Sequence, residues 1–256
     1  MTDDLKKIFN ETKNSSLKSD NYFEIYEKNL GKFIGKEITF VEIGVLNGGS
    51  LQMWKKYFGK KAKIIGIDIN PECKKFEDDQ IKIFIGDQSS EDFWKEFFDQ
   101  VGKVDVILDD GAHTNIAQIK TTLSCINNIK NDGLLIIEDT HTSYIKKYNT
   151  SKEYTFLNFT KTIIDKLYKN DDTNLRKQIY SINIFQSCVI FNINENKTIQ
   201  NKTITNEKLD HGIKDITFEY FLKDNKNFLG RMKFTKNILR IYYKYKINKY
   251  LKKIFN

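Results

Sequence analysis

Short apolar runs that end in acidic side chains are the feature of this sequence that most restricts its fold. VDVILDD at 104–110 and LLIIED at 134–139 end in acids, and VEIG at 41–44 contains Glu42 just before the glycine that opens a turn. Runs of this length, bounded by turn residues, are typical of strands that are buried on both faces. In an open α/β sheet, ligands bind beyond the carboxyl ends of such strands. Four acids are therefore expected to meet in one crevice: Asp109, Asp110, Glu138 and Asp139.

Strand and helix patterns alternate from residue 39 to about 193. Further strands are predicted in KIIGID and IKIFIGD, and helices are predicted at 50–58, 90–100, 114–130 and 153–170. Two β-rich runs, 180–185 and 187–193, follow and can pair as an antiparallel edge. The alternation predicts right-handed βαβ units. We therefore expect a doubly wound, Rossmann-like α/β sheet of seven strands with the last strand antiparallel.

Two flanking segments are predicted around this α/β domain. Residues 1–34 are expected to form a lead helix that covers the sheet with one apolar face, made of Tyr22, Phe23, Ile25, Tyr26 and Leu30. The domain itself is expected to span 35–195. Residues 196–256 are expected to form a basic C-terminal extension.

The positive charge of the chain lies in that extension. The formal net charge is +8, whereas residues 222–256 alone hold eleven Lys or Arg and one Asp, a local net charge of +10. The rest of the chain therefore carries about −2. A nucleic-acid enzyme usually has its basic surface on the domain that performs the chemistry. The distribution disfavours a nucleic-acid partner.

The end of the extension has the pattern of a basic amphipathic helix. Ile247, Tyr250, Leu251 and Ile254 recur at helical spacing, with lysines between them. Such a helix can lie on an anionic membrane surface, or it can pack on a second subunit. We favour the second subunit and hence a homo-oligomer, and peripheral membrane contact is the alternative.

The sequence predicts a cytoplasmic protein. If the basic tail binds a membrane, the predicted location is the inner face of that membrane. The start, MTDDLKKIFN, lacks the apolar stretch of a signal peptide, and no segment has the roughly 18 uninterrupted apolar residues that span a bilayer. Cys73, Cys125 and Cys188 are odd in number and share no C-x-x-C pattern. We therefore expect reduced thiols, with neither a disulfide framework nor a zinc site.

A glycine-rich turn follows the first strand and reads EIGVLNGGS over 42–50. Glycines let the backbone pass close to a ligand and open the next helix without a Cβ clash. Asp68 ends the next strand, where a carboxylate commonly accepts hydrogen bonds from both ribose hydroxyls, and Asp87 follows the strand after it, where it could reach an adenine amine. Together these features predict an adenosyl ligand. The alternative is a tight strand-to-helix turn at Gly44 and Gly48, with Asp68 as a helix cap.

His113 lies three residues after Asp110 and joins the acidic crevice. Like charges so close together cannot all stay ionised without a partner, and a divalent cation is the simplest one. Taken singly, these residues have ordinary explanations, the acids as caps of helices or turns and His113 as a surface imidazole. Their concentration at the ends of adjacent strands favours a functional site.

These motifs carry a resemblance to a known family. The glycine turn, GID at 66–68 and GDQ at 86–88 resemble the S-adenosylmethionine site of class I methyltransferases. DDGAH at 109–113, followed by EDTHTSY at 138–144, is similar to the metal-dependent sugar O-methyltransferases of macrolide tailoring, the mycinamicin and macrocin methyltransferases, and to the cephalosporin-hydroxylase-like group. The similarity covers about residues 10–195. Two departures, Ile145 and the stretch 11–14, lie where the acceptor should bind.

The resemblance implies a class I methyltransferase fold and a role for each matching residue. It implies Mg²⁺, or another divalent cation, on Asp110, Glu138 and Asp139, with His113 as the base and Asp110 in the same catalytic centre. S-adenosylmethionine would be held by Glu42, Gly44, Asn47, Gly48, Ser50, Asp68, Asp87, Gln88 and Asp109. The acceptor pocket would include Tyr22, His141 and Tyr144.

The predicted reaction is methylation of a sugar hydroxyl. An alkyl hydroxyl is a poor nucleophile at neutral pH, and a hard cation on carboxylate oxygens can bind it and lower its pKa. A general base then removes the proton. Two neighbouring sugar hydroxyls would make a natural bidentate ligand, so the expected acceptor is a small-molecule or nucleotide-linked sugar, such as a heptose destined for a capsular polysaccharide.

Two other functions compete with this prediction. A nicotinamide-dependent oxidoreductase could use a similar sheet, but the turn is G-x-x-x-G-G and lacks the G-x-G-x-x-G of dinucleotide-binding folds. A non-catalytic binding module could be recruited by the basic tail.

Overall fold

The computed structural model describes residues 4–148, 153–169 and 174–198, together with six helical positions between 241 and 252. The chain divides into two compact units, 1–200 and 201–256. Most of the predicted basic tail lies outside the described residues, so its amphipathic face, its partner and the domain boundaries at 35 and 195 stay predictions.

Seven strands form one sheet in the order β3-β2-β1-β4-β5-β7-β6. All neighbouring pairs are parallel except those of β7, which runs antiparallel to both β5 and β6. The strands are β1 Thr39–Ile43, β2 Lys63–Asp68, β3 Ile81–Ile85, β4 Val104–Asp109, β5 Ile129–Ile137, β6 Ile179–Phe185 and β7 Cys188–Ile193. The predicted Rossmann-like fold class is confirmed.

The described helices surround this sheet. They are α1 Asp4–Asn10, α2 Asp20–Leu30, α3 Gly49–Phe58, α4 Glu91–Val101, α5 Asn115–Cys125, α6 Phe156–Tyr168, α7 Asn174–Gln178 and α8 Glu195–Thr198. The helices α4, α5 and α6 have N-caps with side-chain hydroxyl groups. The side chains of Ser90, Thr114 and Thr155 accept hydrogen bonds from backbone amides in the first turn of these helices.

Alternate residues of the central strands face opposite layers of helices. Phe40 belongs to the core cluster that includes residues of α1, α2 and α3, whereas Val41 belongs to the cluster with α4, α5 and α6. Leu134 and Leu135 on β5 divide in the same way. Both faces of the sheet are buried, which explains why the apolar runs in the sequence are continuous and not alternating.

The N-terminal lead contains two helices and not the single helix that we expected. Residues 12–19, here called the strap, separate α1 from α2 and have no regular structure. The turn-forming run of Asn14, Ser15 and Ser16 interrupts the helical pattern. Gln52 tethers the strap to α3, since its Oε1 accepts hydrogen bonds from two strap amides at 3.0 and 3.1 Å. The apolar face of α2 is buried, as predicted.

Two further boundaries differ from the prediction. The helix expected at 114–130 ends at Cys125, because β5 begins at Ile129, where it pairs with Val104 before a bulge in the register. The β-rich pair near 180–193 is antiparallel, but β7 is an interior strand between β5 and β6, so β6 alone of this pair lies at an edge of the sheet.

Within the described ranges, no helix has the length and apolar character needed to cross a bilayer. The three cysteines are free and buried. Cys73, Cys125 and Cys188 therefore pack as small apolar side chains.

Candidate active site

The carboxyl ends of the parallel strands open onto a cavity of about 510 Å³. It lies where the strand order reverses, between β1 and β4, which is the usual ligand position in an open α/β sheet. Predicted site residues that line it are Gly44, Ser50, Asp68, Asp87, Gln88, Asp110, His113 and Asp139. The strap contributes Ser16 and Leu17 to the lining of the same cavity.

The glycine turn allows β1 and the end of β4 to approach closely. Gly44 has a φ of 93°, and a Cβ at this position would lie 2.2 Å from the backbone oxygen of Asp110. Asp68 closes the same turn, because its Oδ2 accepts hydrogen bonds from the amides of Val45 at 2.8 Å and Leu46 at 3.2 Å. The turn therefore presents backbone, without side-chain bulk, to the cavity.

Gly44→Ala is expected to lower the free energy of unfolding by about 1–3 kcal/mol, since the new Cβ must displace the Asp110 backbone and the residue keeps a positive φ. Gly35→Ala is the matched control, because Gly35 has a φ of 72° but nothing within 4 Å of the added Cβ. Urea denaturation compares the two variants. If both variants lost the same free energy of unfolding, the close approach of residue 44 to the Asp110 backbone would not be the cause of the destabilisation.

Gln88 and Asp109 form the wall behind the cavity. The Gln88 Nε2 lies 3.0 Å from both carboxylate oxygens of Asp109, and its Oε1 accepts a hydrogen bond from the Ala112 amide at 2.8 Å. Burial raises the pKa of the Asp109 carboxyl, and the hydrogen bond from Gln88 partly opposes that shift. Asp109 thus holds the loop after β4 in place, while its neighbour Asp110 faces the cavity.

A lysine that the sequence analysis did not single out lies at the centre of the acidic cluster. The Nζ of Lys18 is 2.6 Å from Asp110 Oδ2, 3.1 Å from Glu42 Oε1 and 3.3 Å from Glu138 Oε2. Its side chain is only 1% exposed. Burial alone would lower the pKa of Lys18, but these three carboxylates raise it well above its usual value. The lysine therefore remains charged.

Glu138 and Glu42 are buried behind the cavity, with both oxygens of each carboxylate engaged. The second oxygen of Glu138 accepts a hydrogen bond from the Tyr26 hydroxyl, and that of Glu42 accepts one from Ser50 Oγ at 2.6 Å. Burial raises the pKa of Glu138 well above its usual value, and the charge of Lys18 opposes that shift. Glu138 is thus held in the interior, and its role as a metal ligand stays a prediction.

Asp110, His113 and Asp139 face one another at the cavity. The Nε2 of His113 lies 3.8 Å from Asp110 Oδ1 and 3.5 Å from Asp139 Oδ2. His113 and Asp139 both have positive φ values, 55° and 52°, which turn the two loops toward each other. The buried Nδ1 of His113 has no hydrogen-bond partner among the described residues.

This trio can accommodate a divalent cation. One donor atom from each residue lies within 4.8 Å of the other two, and two carboxylates with an imidazole form a common donor set for such ions. The three side chains are partly exposed, so the site is accessible from the cavity. Asp110 and Asp139 are two of the predicted ligands, and the third, Glu138, lies behind them, where the Lys18 Nζ contacts both Asp110 and Glu138.

The residues predicted for the acceptor pocket occupy different environments. Tyr22 is buried, and its hydroxyl lies 2.7 Å from Asp139 Oδ1 and accepts a hydrogen bond from the Asp139 amide at 3.0 Å. Burial raises the pKa of that hydroxyl, which therefore stays protonated and positions Asp139. Tyr144 is 72% exposed, and the half-exposed His141 places Nδ1 3.9 Å from Asp139 Oδ1.

Two other predicted cofactor contacts shape the turn. Asn47 is exposed and donates a hydrogen bond from Nδ2 to the hydroxyl of Ser15 in the strap, at 2.9 Å. Gly48 has a φ of 75° and packs against the ring of Phe76. Both residues hold the glycine turn against its neighbours.

The sequence contained one signal that would have located Lys18. Asn14, Ser15 and Ser16 are turn formers, and they predict a break in the lead helix just before the lysine. A lysine in an irregular segment beside an acidic strand end is a candidate counter-ion. Our prediction took residues 1–34 as one lead helix and gave Lys18 no role.

No protein-family model matches this chain. Curated proteins do match part of it. The 8-demethyl-8-alpha-L-rhamnosyl tetracenomycin-C 2'-O-methyltransferase of Streptomyces olivaceus is 29% identical over 157 residues, which are 57% of this chain and 41% of that protein. The mycinamicin VI 2''-O-methyltransferase of Micromonospora griseorubida is 30% identical over 127 residues, 46% of this chain and 31% of that protein. The matches thus span less than half the length of these relatives.

Solved structures confirm the fold. The MycE methyltransferase from the mycinamycin biosynthetic pathway, in complex with Mg, SAH and mycinamycin VI, aligns with a TM-score of 0.65 and 22% identity, over 72% of this chain and 52% of that one. The resemblance to sugar O-methyltransferases that the sequence motifs indicate is therefore confirmed, as is the predicted methyltransferase fold.

Proposed function

We propose that this chain, which has a methyltransferase fold and is similar in sequence to the tetracenomycin and mycinamicin O-methyltransferases, transfers a methyl group from S-adenosylmethionine to a sugar hydroxyl with the help of a divalent cation. The observation that carries the proposal is the position of Asp110, His113 and Asp139 at the cavity into which the glycine turn also opens. The proposed acid-base residues and the proposed adenosyl-binding turn thus line the same cavity.

The cofactor side of the cavity suits an adenosyl group. Gly44 presents bare backbone, Asp68 and Asp87 place carboxylates at the ends of β2 and β3, and Leu46 and Ile69 supply apolar walls. A cavity of about 510 Å³ falls in the range usual for small-molecule sites. The G-x-x-x-G-G turn supports an adenosyl sulfonium ligand over a nicotinamide dinucleotide.

The catalytic side supplies the groups that methyl transfer requires. Asp110 and Asp139 would hold the cation, which when bound lowers the pKa of the acceptor hydroxyl. His113 Nε2, 3.5 Å from Asp139 Oδ2, then accepts the hydroxyl proton as the base. As the oxygen–methyl bond forms, the sulfur–methyl bond breaks and S-adenosylhomocysteine leaves. Tyr22 keeps Asp139 oriented throughout.

The finer part of the proposal concerns the acceptor. We take it to be a nucleotide-activated sugar or a sugar of a capsular polysaccharide, such as a heptose. Vicinal hydroxyls on such a sugar would give the cation two ligands at once. Exposed Tyr144 and half-exposed His141 on the loop after β5 offer a ring face and a polar group to the same sugar.

A mass-spectrometric screen tests this function. The protein is incubated with S-adenosylmethionine, Mg²⁺ and a panel of nucleotide sugars, and products heavier by one methyl group are sought. We expect such a product, and we expect EDTA or Asp139→Asn to abolish it, while the exposed control Asp132→Asn has no effect. Unchanged activity in EDTA would contradict the metal's role. Calorimetric binding of NAD without binding of S-adenosylhomocysteine would contradict methyl transfer altogether.

A further inference from the structure

The ammonium group of Lys18 lies between two of the acids that the sequence motifs assign to the metal. Its Nζ is 2.6 Å from Asp110 Oδ2 and 3.3 Å from Glu138 Oε2. Divalent cations bind carboxylate oxygens at about 2.0–2.6 Å, so a cation held by both acids would lie within a few ångströms of this ammonium. Like charges at that separation in a buried site repel strongly. The lysine and the metal therefore compete for one position.

We propose that Lys18 is a resident counter-ion that fills the metal position in the metal-free protein, and that the divalent cation displaces it from Asp110 and Glu138. The strap then carries the displaced ammonium group toward solvent. This inference rests on the proposed function only in placing a divalent cation at the acids after β4 and β5. The exchange involves carboxylates alone, so His113 stays free to act as the base.

The two carboxylate oxygens of Glu138 have partners that differ in how readily they can leave. Oε1 accepts a hydrogen bond from the Tyr26 hydroxyl, and Oε2 accepts one from Lys18 Nζ. Tyr26 is fully buried on α2, and its ring packs edge to face against Trp54 with the ring centroids 5.1 Å apart. Lys18 belongs to the strap, which has no regular structure. A metal ion that binds Glu138 therefore replaces Lys18 and not Tyr26.

The backbone of the strap does not hold Lys18 in place. The tethers of the strap lie before the lysine, at the amides of residues 13 and 14 and at the hydroxyl of Ser15. Across the described part of the chain, no hydrogen bond involves the backbone of residues 16–18. Leu17 is 82% exposed, so no packing fixes the chain there. The ion pairs of Lys18 itself keep it inside, and a competing cation can release it.

Glu42 determines the cost of the exchange. This buried carboxylate lies 3.1 Å from Lys18 Nζ, and its other oxygen accepts a hydrogen bond from Ser50 Oγ at 2.6 Å. Among the residues that the structure describes, no second Lys or Arg forms an ion pair with it. Release of Lys18 leaves a buried charge without its counter-ion, which costs free energy and weakens metal binding. The variant Lys18→Met has lost this compensation before any metal binds, so it should bind metal more tightly than the wild-type chain.

Reductive methylation of lysines, followed residue by residue with mass spectrometry, tests the exchange in the wild-type chain without cofactor or acceptor. Lys18 should react at least about tenfold faster in saturating Mg²⁺ than in EDTA, because the displaced amine becomes accessible to the reagent. Lys55 is the matched control, since it bridges Asp78 and Asp79 at the surface and should react equally under both conditions. NaCl at the same ionic strength should leave Lys18 unreactive.

Mn²⁺ binding, followed by the EPR signal of the free ion, tests the competition independently. Lys18→Met should lower the Mn²⁺ dissociation constant at least about tenfold, because the competing ammonium is gone. Asp139→Asn removes a predicted ligand that forms no ion pair with Lys18, and it should raise that constant at least about tenfold. At the Mg²⁺ concentration that saturates the wild-type chain, Asp139→Asn should also suppress the methylation of Lys18.

Each outcome supports or overturns the exchange. A Lys18 that stays unreactive while Mn²⁺ or Mg²⁺ is bound would overturn it, as would unchanged or weaker Mn²⁺ binding in a folded Lys18→Met variant, or no Mn²⁺ binding in every folded chain. Circular dichroism checks that Lys18→Met is folded, and if it is not, the methylation of the wild-type chain decides. Absence of methyl transfer would contradict the proposed function and leave these results intact.

Discussion

Replacing His113 with asparagine is expected to lower kcat about 10²- to 10⁴-fold, the usual contribution of a general base, while leaving the affinity for S-adenosylmethionine unchanged. Asparagine is the suitable replacement because His113 has a φ of 55°, which asparagine tolerates better than most residues. Its backbone carbonyl can still accept the hydrogen bond from Thr142 Oγ1, so the loop stays in place. Single-turnover kinetics with the identified acceptor measures the effect.

His141→Asn is the matched control for that experiment. His141 is half-exposed and 3.9 Å from Asp139, so its loss should reduce kcat by less than about tenfold. Metal affinity distinguishes the two roles open to the His113 imidazole. A slow enzyme that still binds Mn²⁺ identifies His113 as the base, whereas loss of Mn²⁺ binding identifies it as a ligand. An unimpaired His113→Asn enzyme would exclude both roles.

Lys18→Met is expected to lower the free energy of unfolding of the metal-free protein by about 3–5 kcal/mol. Removing one partner of a buried ion pair leaves the other charges without compensation, and here three carboxylates lose the same cation. Methionine has a similar length and adds no new polar group, so the loss reports mainly on the charge. Urea denaturation in the presence of EDTA measures it.

Lys55→Met provides the comparison. Lys55 Nζ also bridges two carboxylates, those of Asp78 and Asp79, each at 2.8 Å, but its side chain is 31% exposed. Exposed ion pairs contribute about 0–1 kcal/mol, so this variant should lose little stability. If the two lysine variants lost the same amount, burial of Lys18 would not be the reason for its effect.

Much of the fold could be predicted because its signals are local. Strands such as β1 and β5 are buried on both faces and therefore read as continuous apolar runs. The helices between them begin at residues such as Ser90 and Thr114, whose hydroxyls cap backbone amides. Boundaries were less accurate where tertiary pairing competes with helical pattern, as at Ile129, where the register of β5 against β4 ends the preceding helix early.

The positions of the candidate site residues could also be predicted from local patterns in the sequence. Asp110, His113 and Asp139 follow directly after β4 and β5, and parallel neighbours deliver their carboxyl ends to one edge. Asp109 and Asp110 are adjacent in the sequence but lie in different surroundings. Asp109 accepts a hydrogen bond from Gln88 in the wall of the cavity, whereas Asp110 faces the cavity. No property of the two aspartates themselves distinguishes them.

The sequence by itself determined the sheet, the strand ends at which chemistry occurs and the family that the motifs resemble. Only the tertiary structure decided which groups surround each acid there. Lys18 and Glu138 are 120 residues apart in the chain, and their contact depends on the path of the strap between α1 and α2. Charge compensation inside a protein depends on distances of a few ångströms between distant segments, and local sequence patterns carry no record of such distances.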